Sequence, residues 1–185
     1  MVYVGVDIGH SNMGVAVCSA HDAPFEVLFL DKYDLNVYKG PLHTRVNAFF
    51  DCVLAPLLDF HRGCTVAIEI QPPTGLVNVE YVLLTRLMGQ RVERVHPKSL
   101  HVFLNMTHLD YEQRKDHVTR LADGFILNPV MRHKFASMIR KHDVADAILF
   151  CHFVRSKEPP EAPIAQLKAT AVDLDAFRHT AAWTR

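Results

Sequence analysis

Apolar positions in the first thirty residues alternate as β-strands require. Val2 to Ile8 alternates and is rich in β-branched residues, and a polar turn at Gly9-His10-Ser11-Asn12 follows. The pattern resumes at Gly14–Val17, and a third apolar run, Phe25–Leu30, follows the Asp22-Ala23-Pro24 turn. These segments predict three antiparallel strands joined as a meander.

Helical spacing replaces alternation after residue 40. From Leu42 to Phe60 the apolar positions recur every three or four residues, which predicts a helix that Pro56 kinks. Thr65–Ile70 and Arg91–Val95 predict two further strands. Other helices are predicted over 76–88, 99–104, 111–122, 130–139 and 143–154. The order βββαβαβα indicates an α/β fold, in which helices flank a mixed sheet made of the meander plus parallel strands.

Length and composition set the domain organisation. The 185 residues are 49% hydrophobic, which fits one domain, predicted over residues 1–157. Residues 158–185 are predicted to form a Pro-rich linker and a short helical tail. No apolar run reaches the roughly 20 residues of a membrane span, and no signal sequence is evident, so we expect a cytoplasmic protein. Reduced core cysteines are expected at Cys18, Cys52, Cys64 and Cys151.

The balanced charge of 20 basic and 20 acidic residues hides an uneven distribution. Residues 1–85 hold four Lys/Arg and nine Asp/Glu, a net charge of −5, whereas residues 86–155 hold twelve and seven, a net charge of +5. The neutral total therefore does not exclude a nucleic-acid partner, because the second half provides a basic segment.

Two carboxylates lie where packing alone does not place them. Asp7 is near the end of an apolar strand, and Glu69 lies inside the apolar run TVAIEI. Burial of an isolated carboxylate is costly unless it is paired or binds a cation. The two acids therefore predict a shared cation site if their strands are neighbours.

A second acidic pair, Asp143 and Asp146, begins the last predicted helix at spacing i, i+3, which places both on one face. Each acid also has a structural interpretation: Asp143 as a helix N-cap, Asp146 as a first-turn acid, Asp7 as a turn residue. Together the four acids predict an oxygen-rich site for Mg²⁺, which Mn²⁺ can replace. Two such ions, roughly 3.5–4 Å apart, can activate water and stabilise the leaving oxygen in phosphodiester hydrolysis.

Three blocks of the chain resemble one known family. VGVDIGHSNMGVAV, AIEIQ and HDVADAILF are similar to the metal-binding motifs of RuvC-type Holliday junction resolvases, which have the RNase H-like fold. The blocks occur in the family's order across residues 1–155, and the Glu-x-Gln form resembles the poxviral and mitochondrial branches. The resemblance implies that Asp7, Glu69, Asp143 and Asp146 are both catalytic residues and metal ligands.

The same resemblance implies a homodimer that grips a four-way DNA junction and nicks two strands symmetrically. LMGQRVERVHPKSLH and YEQRKDHV resemble the family's substrate-facing segment, in which Lys98 and Lys115 match the DNA-contacting lysines. His142 is expected to be a surface residue. Phosphate contacts are expected from Arg91, Arg94, Lys98, Arg114, Lys115, Arg140 and Lys141.

The sequence departs from the family in two places and leaves three alternatives open. Pro72-Pro73-Thr74-Gly75 stands where poxviral relatives are expected to have an arginine, and the tail after Glu158 has no counterpart. The alternatives are a nuclease for RNA–DNA hybrids, a non-catalytic junction-binding module, and an actin-like or sugar-kinase ATPase. An ATPase of that type needs a second similar domain, for which 185 residues are too few.

Overall fold

A five-stranded mixed sheet forms the centre of the protein in the computed structural model, which describes residues 2–19 and 24–158. The strands lie in the order β3-β2-β1-β4-β5. β2 is antiparallel to β1 and β3, while β1, β4 and β5 are parallel. The predicted meander with added parallel strands is thus confirmed. The strands are β1 (Tyr3–Ile8), β2 (Asn12–Cys18), β3 (Val27–Asp34), β4 (Thr65–Glu69) and β5 (Arg91–Val95).

The helices lie where the periodicity predicts them, with one correction. The predicted helix over Leu42–Phe60 is interrupted by a π-helical stretch, Phe50–Leu54. Pro56 follows this stretch in the first turn of the next helix. Because proline lacks an N–H and its ring crowds the preceding turn, a wider turn there accommodates it. The helices are α1 (Leu42–Phe49), α2 (Ala55–Phe60), α3 (Val77–Arg86), α4 (Pro97–Phe103), α5 (Tyr111–Gly124), α6 (Pro129–Ser137) and α7 (His142–Lys157).

Each face of the sheet has its own hydrophobic core. Val4 and Val6 of β1 pack with α1, the π-helical stretch and α3 on one face. Tyr3 of β1 and Ala67 of β4 pack on the other face, against α7 and the α4–α6 region. Since successive strand residues point to opposite faces, Asp7 and Glu69 project from the face that α7 covers.

Two glycines let α7 lie directly on the backbone of the sheet. A Cβ atom on Gly5 would stand 2.0 Å from the Ala147 carbonyl oxygen, and one on Gly14 would stand 2.1 Å from the Asp143 carbonyl oxygen. Both distances are far below van der Waals contact, so no larger residue fits either position without moving the helix. The glycines therefore fix the height of α7 above β1 and β2.

Two other expectations need correction. The third strand is predicted over Phe25–Leu30 but spans Val27–Asp34, because pairing with β2 continues to Asn12 and Asp34. Cys18, Cys64 and Cys151 are buried as expected, whereas Cys52 is exposed. The predicted linker and tail beyond Glu158 lie outside the described residues. In the described part of the chain, no helix is long and apolar enough to cross a membrane.

Candidate metal-dependent active site

Neighbouring parallel strands bring Asp7 and Glu69 to the same edge of the sheet. Val6 of β1 pairs with Ile68 of β4, so Asp7 and Glu69 are the next residues along the two strands. Both project from the α7 face, and adjacent strands are about 4.8 Å apart. The prediction of a shared site required these two strands to be neighbours, and β1 and β4 are neighbours.

The N-terminal end of α7 adds the second acidic pair, with Asp143 in its first turn. Asp7 lies opposite Gly14 in the β1–β2 register, and the backbone of Asp143 packs against Gly14. The close approach at this glycine places the start of α7 beside Asp7. Asp143 is buried, and the alternative interpretation of this residue as the helix N-cap is wrong because Lys141 occupies that position. One helix turn and two strand ends thus converge.

Burial raises the pKa of three of the four carboxylates, and for Asp7 and Asp146 the other acids of the set add to the rise. Burial raises the pKa of Asp7 well above its ordinary value, and the charges of Asp146, Glu69 and Asp143 raise it further. Burial, followed by the charges of Glu69 and Asp143, raises the pKa of Asp146 to about 7. The pKa of Glu69 is also raised by burial. A cation placed among these groups would relieve both the desolvation and the repulsion.

Asp143 has a guanidinium and an imidazole as neighbours. Its Oδ2 lies 3.5 Å from Nε of Arg140, and its Oδ1 lies 3.1 Å from Nε2 of His142. Even so, Asp143 Oδ2 is buried and accepts no hydrogen bond from any described residue. A buried carboxylate oxygen without a hydrogen bond is destabilising, because it has lost its hydration. A bound cation would compensate for that loss.

The four acids fit a hard divalent cation in donor type and charge. Carboxylate oxygens are the preferred ligands of Mg²⁺ and Mn²⁺. Within residues 2–19 and 24–158, however, no three His, Cys, Asp or Glu side chains are arranged around a common point as metal ligands. The backbone positions bring the acids together, while the side-chain rotamers do not form a completed cage.

A cavity of about 210 Å³ opens beside the carboxylates. Glu69 and Asp146 line it together with Lys115, Arg114 and His142. Nζ of Lys115 lies 4.0 Å from the ring centroid of Tyr111 and 3.7 Å from Oε1 of Glu112. Two of the predicted DNA contacts, Lys115 and Arg114, therefore lie at the acidic site. His142, expected at the surface, also lines this cavity and contacts Asp143.

The other predicted DNA contacts occupy different positions. Lys98 is exposed in the first turn of α4, directly after the site end of β5, and Lys141 is the N-cap residue of α7. Arg94 instead binds the buried carboxylate of Glu80. Arg91 begins β5, opposite Thr65, so it lies roughly 13 Å along the sheet from Glu69. Its Nη2 is 2.9 Å from Oε1 of Glu158.

The structure is similar to solved Holliday junction resolvases. Fowlpox virus resolvase in complex with Holliday junction DNA gives a TM-score of 0.63 at 15% identity, over 84% of this chain and 97% of that chain. Thermus thermophilus RuvC with its Holliday junction substrate gives 0.58 at 19% identity, over 85% and 97%. The yeast mitochondrial resolvase gives 0.60 at 16% identity, over 95% and 85%.

This chain has the RuvC-type resolvase fold. The resemblance inferred from the sequence motifs is confirmed at the level of fold. No family model matches the sequence, and no curated protein does. The similarity to the solved resolvases therefore lies in the three-dimensional arrangement of the strands and helices.

Two residues next to the acidic site were given no role from the sequence, although Gln71 belongs to the Glu-x-Gln form noted there. Gln71 donates from Nε2 to Oε2 of Glu69 at 2.7 Å. Glu80 is only 3% exposed and accepts hydrogen bonds from Arg94 and from the backbone of Gln71. A signal for Glu80 was present, because this acid lies on the apolar face of α3 beside Val79 and Leu83. Nothing local in the sequence indicated that Arg94 pairs with Glu80, since Arg94 lies on β5 and Glu80 on α3.

Proposed function

We propose that this protein is a metal-dependent endonuclease that resolves four-way DNA junctions. The observation that carries the proposal is the meeting of Asp7, Glu69, Asp143 and Asp146 at one end of a RuvC-type sheet. Each has a structural alternative when taken alone. A set of mutually repelling, half-buried to buried carboxylates lowers stability, however, and such a cost is typical of functional sites.

The four carboxylates would hold Mg²⁺, or Mn²⁺ in its place, with two ions in each site. The bound ions would supply an activated water and stabilise the charge that develops on the phosphate. The chain provides the fixed backbone positions, since α7 is set on glycines against the strands that carry Asp7 and Glu69. Lys115 and His142, which line the same cavity, would contact the scissile phosphate and its neighbours.

The basic half of the chain would bind the junction arms. Phosphate contacts provide most of the affinity for DNA, while shape rather than base sequence would select a four-way junction. Lys98, Arg114, Lys115, Arg140 and Lys141 lie on elements that meet at the acidic site or border it. Contacts by Arg91 and Arg94 would require these side chains to serve DNA in addition to their carboxylate partners.

A homodimer would match the two-fold symmetry of a four-way junction and place one active site on each of two strands. Paired symmetric nicks would then leave ends that a ligase can seal. We further propose that the protein acts in the cytoplasm, as its sequence led us to expect.

The decisive experiment is cleavage of an end-labelled synthetic four-way junction beside linear duplex and an RNA–DNA hybrid, in Mg²⁺ or Mn²⁺. The wild type should cut the junction alone and symmetrically. Glu69→Gln should lose on the order of 100-fold or more in rate, since metal ligation contributes several kcal/mol to such reactions. Glu93→Gln is the matched control, because Glu93 is an exposed acid on the adjacent strand.

Other outcomes identify the competing functions. Preferential cleavage of the hybrid would indicate a ribonuclease of the same fold, and tight junction binding without any cleavage would indicate a non-catalytic module. Equal cleavage by wild type and Glu69→Gln would refute the assignment of the active site.

A further inference from the structure

Gln71 is placed to control the orientation of Glu69. The two residues are separated by one position, so their side chains leave the chain on the same side of the extended backbone. Nε2 of Gln71 donates to Oε2 of Glu69 at 2.7 Å. A hydrogen bond to a charged oxygen is short and strong, so it restricts the rotation of the carboxylate. It also distinguishes the two oxygens of Glu69.

The other end of the Gln71 amide is fixed as well. Its Oε1 accepts a hydrogen bond from the backbone N–H of Leu76 at 3.3 Å. A carboxylate only accepts and a backbone N–H only donates, so both partners require the same orientation of the amide. Gln71 therefore links Glu69 to the turn that leads into α3.

An ion pair between the half-exposed Arg94 and the buried Glu80 holds the backbone of Gln71. β4 ends at Glu69, and Ile70 makes a last backbone hydrogen bond to Val95 of β5. The next N–H, that of Gln71, donates to Oε2 of Glu80 at 2.9 Å. Oε1 of Glu80 accepts from Nε and Nη2 of Arg94 at 2.9 and 2.6 Å. Because Glu80 is buried, these donors replace the hydration that its carboxylate loses.

We propose that Gln71 is a positioning residue that holds the Glu69 carboxylate in the orientation needed for cation binding, with the Glu80–Arg94 pair as its support. This inference rests on the proposed function of the acidic site. It assigns Arg94 a structural role at the site, in place of the direct phosphate contact expected from the sequence. Substitution of Gln71 should therefore weaken metal binding more than DNA binding.

The test compares Gln71→Met with Gln90→Met in titrations with Mn²⁺. Methionine keeps the approximate length of the side chain and removes both amide groups, and Gln90 is exposed beyond α3. Mn²⁺ affinity, measured by the shift of Tm, should fall roughly 10- to 100-fold in Gln71→Met, as is typical when a partner of a metal ligand is lost. Junction affinity and the Tm in EDTA should stay close to wild type, and high Mn²⁺ should restore most of the cleavage rate. Gln90→Met should match the wild type throughout.

Glu80→Gln provides a second variant that keeps the shape and one acceptor, and it should show a smaller loss of Mn²⁺ affinity. Wild-type Mn²⁺ affinity in Gln71→Met would overturn the inference, as would a loss of cleavage that high Mn²⁺ does not restore. Failure of the proposed function is a separate result: the wild type would then bind Mn²⁺ without cleaving the junction.

Discussion

At the scale of single residues, the acidic site lowers the stability of the metal-free protein. Burial and neighbouring acids raise the pKa of Asp146 to about 7, above its ordinary value of 3.8. The folded state thus holds the Asp146 proton more tightly than the unfolded state. Stability is therefore lost as pH rises from about 4 through 7, and the full cost is present above that range.

Asp146→Asn should remove this cost. In EDTA we expect the variant to exceed the wild type in free energy of unfolding by about 1–2 kcal/mol at pH 8 and by less at pH 5, since Coulomb repulsion and desolvation of one charge disappear. Urea denaturation at the two pH values measures the difference. Asp59→Asn, at an exposed position of α2, is the control and should show no such pH dependence. An advantage for Asp146→Asn that is equal at both pH values would contradict the explanation.

The same scale shows what the sequence could and could not reveal about the site. Asp7 and Glu69 were identifiable because a carboxylate in an apolar strand has no routine structural role. Glu80 escaped because its importance lies in hydrogen bonds to separate elements. Gln71 was noted only within the Glu-x-Gln form, because its hydrogen bond to Glu69 depends on the local backbone after β4. His142 was expected at the surface and is half-buried, and its contact with Asp143 could not be foreseen because it depends on where α7 packs.

At the scale of elements, the position of α7 decides whether the acids meet. Ten of its sixteen residues are buried, which explains why its sequence is apolar on nearly every side. The sequence therefore predicted the helix but not its orientation. The missing information is carried by Gly5 and Gly14, whose significance appears only when the helix backbone is seen against them. The π-helical stretch was similarly invisible, although Pro56 marked the region that contains it.

Gly14→Ala should separate these acids. The added methyl group would collide with the backbone at Asp143, so α7 must move away from β2. We expect a loss of about 1–3 kcal/mol in unfolding free energy, the usual cost of overpacking. Cleavage should fall further than stability explains, because Asp143 moves away from Asp7. Thermal melts and junction cleavage well below Tm separate the two effects.

Gly124→Ala is the matched control for this substitution. Apart from its chain neighbours and the backbone of its own helix, no described atom lies within 4 Å of a Cβ at Gly124, and alanine favours the helix in which it lies. The control should retain activity and equal or exceed wild-type stability. A Gly14→Ala protein with full activity would show that the close approach of α7 is not required.

At the scale of the whole molecule, the sequence showed which half of the chain is basic but not where its basic side chains lie in the fold. The basic half contains residues at the acidic site, such as Lys115, but also residues at the opposite end of the sheet, such as Arg91. Sequence spacing cannot separate these groups, because a five-residue strand carries the chain from one end of the sheet to the other. The DNA-binding surface must therefore be mapped by substitution.

The salt dependence of junction binding provides that map. In a Glu69→Gln background, which prevents cleavage, log Kd should rise linearly with log salt, and each lost phosphate contact should lower the slope by about 0.9. Lys98→Ala and Lys115→Ala should each lower it by about this amount. Arg62→Ala is the control, because Arg62 is exposed in the turn that precedes β4, at the other end of the sheet. If Arg62→Ala reduced the slope as much as Lys98→Ala, the junction would have to contact both ends of the sheet. The proposal that DNA binds at the acidic end would then be refuted.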